Sequence, residues 1–138
     1  MIRRLNWRRH LAAWALAQLG RPFAWGACDC ACLARGALEA ECGGPIGADV
    51  PPYGDAEGAK LTWDAVGGLR GYLGERLDAQ VLPGHLARPG DILVAPSEGF
   101  ETALVFVDAA LLGVEPAGVV RWFPFAPVAP HATAYRVG

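Results

Sequence analysis

The spacing of apolar residues changes once along this chain, and that change limits the folds open to it. In the first half they recur at helical intervals. Leu11, Trp14, Ala15 and Leu19 predict one face of a first helix over residues 5–19, ended by Gly20, Arg21 and Pro22. A loop from Phe23 to Cys28 leads to a second helix over 30–42, with Asp29 as its N-cap and Gly43 and Gly44 as its stop. After a Pro- and Gly-rich loop to Gly54, Ala56 to Leu77 reads as one or two short helices anchored by Leu61, Val66, Leu69 and Leu73. Gly67 and Gly68 interrupt them. Beyond Ala79 the pattern becomes that of short strands: Ile92 to Ala95, Ala103 to Val107, Val119 to Phe123 and Ala132 to Val137. Turn residues separate them at Pro89-Gly90, Ser97 to Gly99 and Glu115 to Gly118. Helices followed by strands in 138 residues predict one α+β domain over 1–138, its helices packed on a C-terminal antiparallel sheet.

Composition removes several function classes. With 53% apolar and 19% charged residues the chain is too apolar for disorder. A net charge of −2 argues against nucleic-acid binding through bulk charge. No run reaches the ~18–20 apolar residues of a membrane span. Gly43-Gly44 and Gly67-Gly68 lack the pattern and Lys of a phosphate loop. No carboxylate pair has a spacing that suggests glycosidase chemistry. Charge is nonetheless uneven: residues 1–21 hold Arg3, Arg4, Arg8, Arg9 and Arg21 and no acid. A secretion signal would combine Arg3–Arg9 with the apolar Leu11–Leu19, but Trp14 and Gln18 interrupt that run and no A-x-A site precedes Pro22. The same residues read as an amphipathic helix, or as a basic face that meets an acidic partner protein.

Cys28, Cys30, Cys32 and Cys42 all lie within a short stretch, which argues against a disulfide framework. C-x-C-x-C differs from a zinc knuckle, and neither a second pair nor a nearby His completes a ligand set. No metal or cofactor is expected, and a metal or redox protein built on these thiols is the third function class to test. On a helix over 30–42, Cys30, Leu33, Ala34, Ala37, Leu38 and Cys42 share a core-facing stripe, with Cys32, Arg35 and Glu39 opposite. Cys30 then sits in the first turn, where the helix dipole lowers a thiol pKa. That is where a catalytic cysteine would sit, and also where a small buried apolar residue would.

Arg21-Pro22-Phe23-Ala24-Trp25-Gly26, then Asp29-Cys30 and Leu33, resembles the opening motif of NlpC-like cysteine peptidases, P-Y-x-W-G followed by D-C-S-G. Pro89-Gly90-Asp91-Ile92-Leu93 looks like that superfamily's G-D block, and Ala103-Leu104-Val105 like the strand that opens with its histidine. Tyr53 and Gly58-Ala59 look like a small branch encoded among bacteriophage tail genes. The resemblance implies a papain-like fold, cleavage of cell-wall peptides, and Cys30 as nucleophile. The chain departs from the pattern at three places: Phe23 replaces a tyrosine, Ala31 replaces a serine, and Ala103 stands at the base position. Alanine takes no proton. Among His10, His85 and His131, His131 before the last strand is the best substitute base.

Trp14 and Trp25 are expected to pack near the cysteine helix, and Trp122, Phe123 and Phe125 to cluster late in the chain. That apolar C-terminal third suits an obligate interface. Two function classes follow from the resemblance. One is a bacteriophage tail-tip or tail-assembly protein with a degenerate peptidase fold, partnered by tail or baseplate proteins and located in the virion tail after assembly in the host cytoplasm. The other is an active peptidase or amidase acting on peptidoglycan peptide through Cys30 and His131.

Overall fold

The computed structural model describes residues 1–138. Four helical segments come first: α1 (Trp7–Gln18), α2 (Cys30–Cys42), α3 (Ala56–Asp64) and α4 (Gly68–Gly71), the last running into a π-helical turn at Tyr72–Arg76. Six strands follow: β1 (Gln80–Pro83), β2 (Ile92–Ser97), β3 (Phe100–Val107), β4 (Ala110–Gly113), β5 (Arg121–Pro124) and β6 (Thr133–Arg136). A short α5 (Phe125–Val128) and a 3-10 turn (Ala129–His131) separate the last two. The strands form one antiparallel sheet in the order β1-β6-β2-β3-β4-β5. The α+β expectation therefore holds.

Alternation along the strands divides the sheet into two faces. Ile92, Val94, Ala103, Val105, Leu112 and Tyr135 join Leu11, Ala15, Leu33, Ala34, Ala37 and Leu38 in the main core under α1 and α2. Leu93, Leu104, Phe106, Leu111 and Ala134 build a second, smaller core on the other face, closed by Phe123, Phe125 and Val128. The C-terminal aromatics expected to form an interface are thus mostly internal. Phe125 packs on Phe106 at 4.7 Å, and of the cluster only Trp122 is exposed.

Several boundaries differ from the sequence expectation. Asn6 takes a left-handed conformation (φ 60°), so α1 starts at Trp7 and the preceding residues run across to α2, where Arg4 N donates to Glu41 O at 2.9 Å. β5 begins at Arg121, because Val119 pairs only in an isolated bridge with Pro22. His131 closes a 3-10 turn and does not open β6. β1 and β4 were not foreseen. β1 is a four-residue edge strand with no buried alternation, and β4 is wholly apolar, so neither shows a strand period.

α2 is the element that places the site. Asp29 caps it through Cys32 N, and Gly43 ends it in a left-handed conformation (φ 78°). Its core face holds Leu33, Ala34, Ala37 and Leu38 as expected, but Glu41 is fully buried and Cys42 only half-buried.

Candidate functional site: a thiol groove at the start of the second helix

Cys30 is the first residue of α2, and its thiol sits against Thr102 and the Ala103 backbone of β3. It lines an open groove of about 620 Å³ together with Phe23, Trp25, Tyr53, Trp63 and Thr102. Phe23 and Trp25 meet edge to face at 4.7 Å, which gives one wall a rigid aromatic surface.

Asp29 organises this end of the helix. It is 2% exposed and has no cationic partner, so its charge is satisfied by donors alone. Oδ1 accepts from Cys32 N at 2.9 Å, and Oδ2 accepts from Gly26 N at 2.9 Å and from the Tyr53 hydroxyl at 2.6 Å. Trp63 Nε1 donates to the same hydroxyl at 3.1 Å. Burial and the bond to Asp29 push the Tyr53 phenol pKa up, so it remains a donor. Gly26 has φ +77°, and a Cβ there would lie 1.9 Å from the Tyr53 carbonyl oxygen. The Trp25-Gly26…Asp29-Cys30 spacing thus builds a closed bracket: Gly26 lets the Tyr53 segment approach, and Asp29 ties both to the helix.

This bracket reverses the expected effect of the helix dipole on Cys30. Burial pushes the thiol pKa up, and the Asp29 carboxylate pushes it the same way; Thr102 and backbone groups pull against them. The N-cap carboxylate already occupies the positive end of the helix that a thiolate would need. The same two causes push Cys32 up to about 12. Ala103 is fully buried beside Cys30, and no histidine is among the groups acting on the thiol.

A family model described as "Domain of unknown function (DUF6950)" matches residues 2–137. The chain belongs to DUF6950. No curated protein matches it. A solved structure of RipD from Mycobacterium tuberculosis is 22% identical, covers 98% of both chains and has a TM-score of 0.49. RipD is described as a non-catalytic NlpC/p60 domain protein with an adaptation to peptidoglycan binding.

In this DUF6950 chain the remaining residues singled out from sequence fall in three places. His10 and His85 are exposed on α1 and on a 3-10 turn (Gly84–Leu86). His131, also exposed, lines a second depression of about 460 Å³ that Cys30 does not line. The two depressions adjoin, sharing Pro96, Ser97, Thr102, Val114 and Glu115. Gly90 and Asp91 lie in neither. Asp91 is fully buried and accepts from Arg136 Nε at 2.9 Å and Nη2 at 2.8 Å, and from Arg88 N at 2.8 Å. Gly90 has φ +95°, and a Cβ there would meet Glu41, Trp7 and Arg3 at 2.6–2.8 Å. The Gly-Asp pair therefore anchors the sheet to α1 and α2. The four cysteines are free thiols, and no three His, Cys, Asp or Glu side chains converge as a metal site would.

Trp63 and Thr102 were not singled out from sequence. Trp63 lies on α3 and Thr102 on β3, and no local pattern links either to Cys30. One signal was available: a capping aspartate flanked by apolar residues needs further donors, and Tyr and Trp supply them.

Proposed function

We propose that this protein is a tail-tip or tail-assembly component of a tailed bacteriophage, built on an NlpC-like peptidase fold whose hydrolytic chemistry has been lost. One observation carries the loss: Cys30 faces Ala103, where a base is needed, and burial and Asp29 hold its thiol protonated. The tail assignment rests on the likeness of the Phe23–Cys30, Gly90-Asp91 and Tyr53 segments to the tail-encoded branch. Neighbouring tail or baseplate proteins are the partners this reading implies, and the virion tail is the location. The groove survives with its aromatic wall, so peptidoglycan peptide is a ligand it could hold without cutting.

A second reading is an active cysteine peptidase with His131 as base. It is favoured by the adjoining depressions that Cys30 and His131 line. Alkylation of each cysteine by iodoacetamide across pH 5–9, with mass-spectrometric assignment, separates the two. The non-hydrolytic reading expects Cys30 to react slowly, with its rate still rising at the alkaline end, and expects no release of fragments from peptidoglycan stem peptides. Fast alkylation of Cys30 near neutral pH, slowed by His131→Ala, establishes the peptidase instead. Mass spectrometry of purified tails from a phage that encodes the chain tests the tail role separately.

A further inference from the structure

Six arginines have no carboxylate partner, and four of them lie in residues 1–21, with Arg35 and Arg88 elsewhere. Arg70, Arg76 and Arg121 each have a carboxylate partner: Glu101, Asp49 and Glu115. The half-buried Arg3 and Arg136 bond to the fully buried Glu41 and Asp91. Arg4, Arg8, Arg9 and Arg21 have none. Arg4 donates to the Ala40 carbonyl, Arg21 to Gln18, Arg8 stacks on Trp7, and Arg9 makes no side-chain bond. No acid lies anywhere in residues 1–21.

The two most exposed aliphatic side chains of the molecule lie among these guanidiniums, Leu5 at 87% and Ile2 at 85%, and Leu16 on α1 is 66% exposed, much as Leu61 is on α3. On α1, Arg9, Ala13 and Leu16 run along the face opposite the buried Leu11 and Ala15. Nothing in the chain covers this face, and it shares no residue with the Cys30 groove.

We propose that the outward face of α1 and the segment before it dock an acidic protein surface, with Leu5 and Leu16 as apolar anchors and Arg9 meeting carboxylates. Charge complementarity selects this occupant. The positive groups are guanidiniums, whose planar fork matches carboxylates in pairs. A bilayer fits less well. Interfacial helices offer Trp, Phe and Leu to the lipid, whereas here Trp7 and Trp14 turn toward the core and Ala13 and Ala17 occupy the outward face. The inference goes beyond the tail reading and stands without it, because it uses neither the groove nor the family likeness.

The test uses the full chain and a fluorescein-labelled amphipathic peptide carrying Glu on its flanks and Leu on its apolar face. A second peptide has every Glu replaced by Gln. Binding is read by fluorescence anisotropy. The expected result is binding of the Glu peptide, weakened about tenfold by Arg9→Glu and by Leu16→Ser. Arg88→Glu makes the same charge change at an exposed unpaired arginine elsewhere and is expected to leave binding within about twofold. All three positions lie on the surface, and unchanged thermal unfolding confirms that the variants fold. Four outcomes overturn the proposal: no binding, equal loss in Arg88→Glu, equal binding of the Gln peptide, or tighter Arg9-dependent binding to phosphatidylglycerol vesicles. Arg9-dependent dimerisation, seen by light scattering, also overturns it, because the occupant would then be a second copy.

Discussion

At the residue scale the same carboxylate makes the helix and disarms the thiol. Asp29 satisfies three donors at the start of α2, so its loss removes more than a cap. Asp29→Ala is expected to cost about 1 kcal/mol for the cap and about 1–3 kcal/mol more for the orphaned Gly26 and Tyr53 donors. Urea unfolding checks this, and a loss no larger than that of Asp55→Ala, which caps α3 through Gly58 alone, would show that the extra bonds contribute nothing. A second expectation concerns the missing base. Ala103→His sets an imidazole against Cys30, and is expected to speed alkylation of Cys30 at neutral pH by about tenfold or more. The site is fully buried, so overpacking is expected to cost about 1–3 kcal/mol. A variant that folds, by its urea midpoint, and still alkylates at the wild-type rate would show that Asp29 and burial alone keep the thiol unreactive.

At the element scale, legibility followed local signals. α2 was readable to its exact ends because Asp29, the apolar stripe and Gly43 all lie on one continuous segment. The Ser97–Gly99 turn was readable from its residue types, and the structure shows Glu98 and Gly99 at positive φ (44° and 84°) joining Ser97 to Phe100. β1 and β4 were not readable, since a four-residue strand is defined by its neighbours in the sheet. The Cys30 position was legible from the motif and the helix start. Its electrostatics were not, because the dipole is local whereas burial arises from β3 and the Tyr53 segment. Glu98 also gives a test of the hairpin. A glutamate is strained at positive φ, and Asn-Gly is the preferred pair for this turn. Glu98→Asn is therefore expected to stabilise the fold by about 0.5–1 kcal/mol, read as a higher urea midpoint with an unchanged slope. A lower midpoint would mean that the glutamate is held there by something other than the turn.

At the scale of the whole molecule, a buried charged cluster joins the start of the chain, the end of α2 and the middle of the sheet. Arg3 Nε donates to Glu41 Oε1 at 3.0 Å, its Nη2 lies 3.8 Å from Asp91, and Arg136 holds Asp91 from β6. The bonding is incomplete, because Glu41 Oε2 and Arg3 Nη2 are buried without a hydrogen-bond partner. Burial pushes the Glu41 pKa up to about 8, against the pull of Arg3 and with a push from Asp91. A carboxyl whose pKa is raised on folding binds its proton more tightly in the native state than in the unfolded chain, where the value is 4.5. Its contribution to stability is therefore full below the unfolded pKa and is lost as pH rises through about 8. The slope from this one group is at most about 1.4 kcal/mol per pH unit. Urea unfolding of the wild type at a series of pH values across that window is expected to show the midpoint falling. Glu41→Gln carries no titrating group there and is expected to flatten the profile, whatever its absolute stability. A wild-type midpoint that stays level or climbs across the window would show that Arg3 keeps Glu41 ionised throughout, and that the cluster is an ordinary buried ion pair.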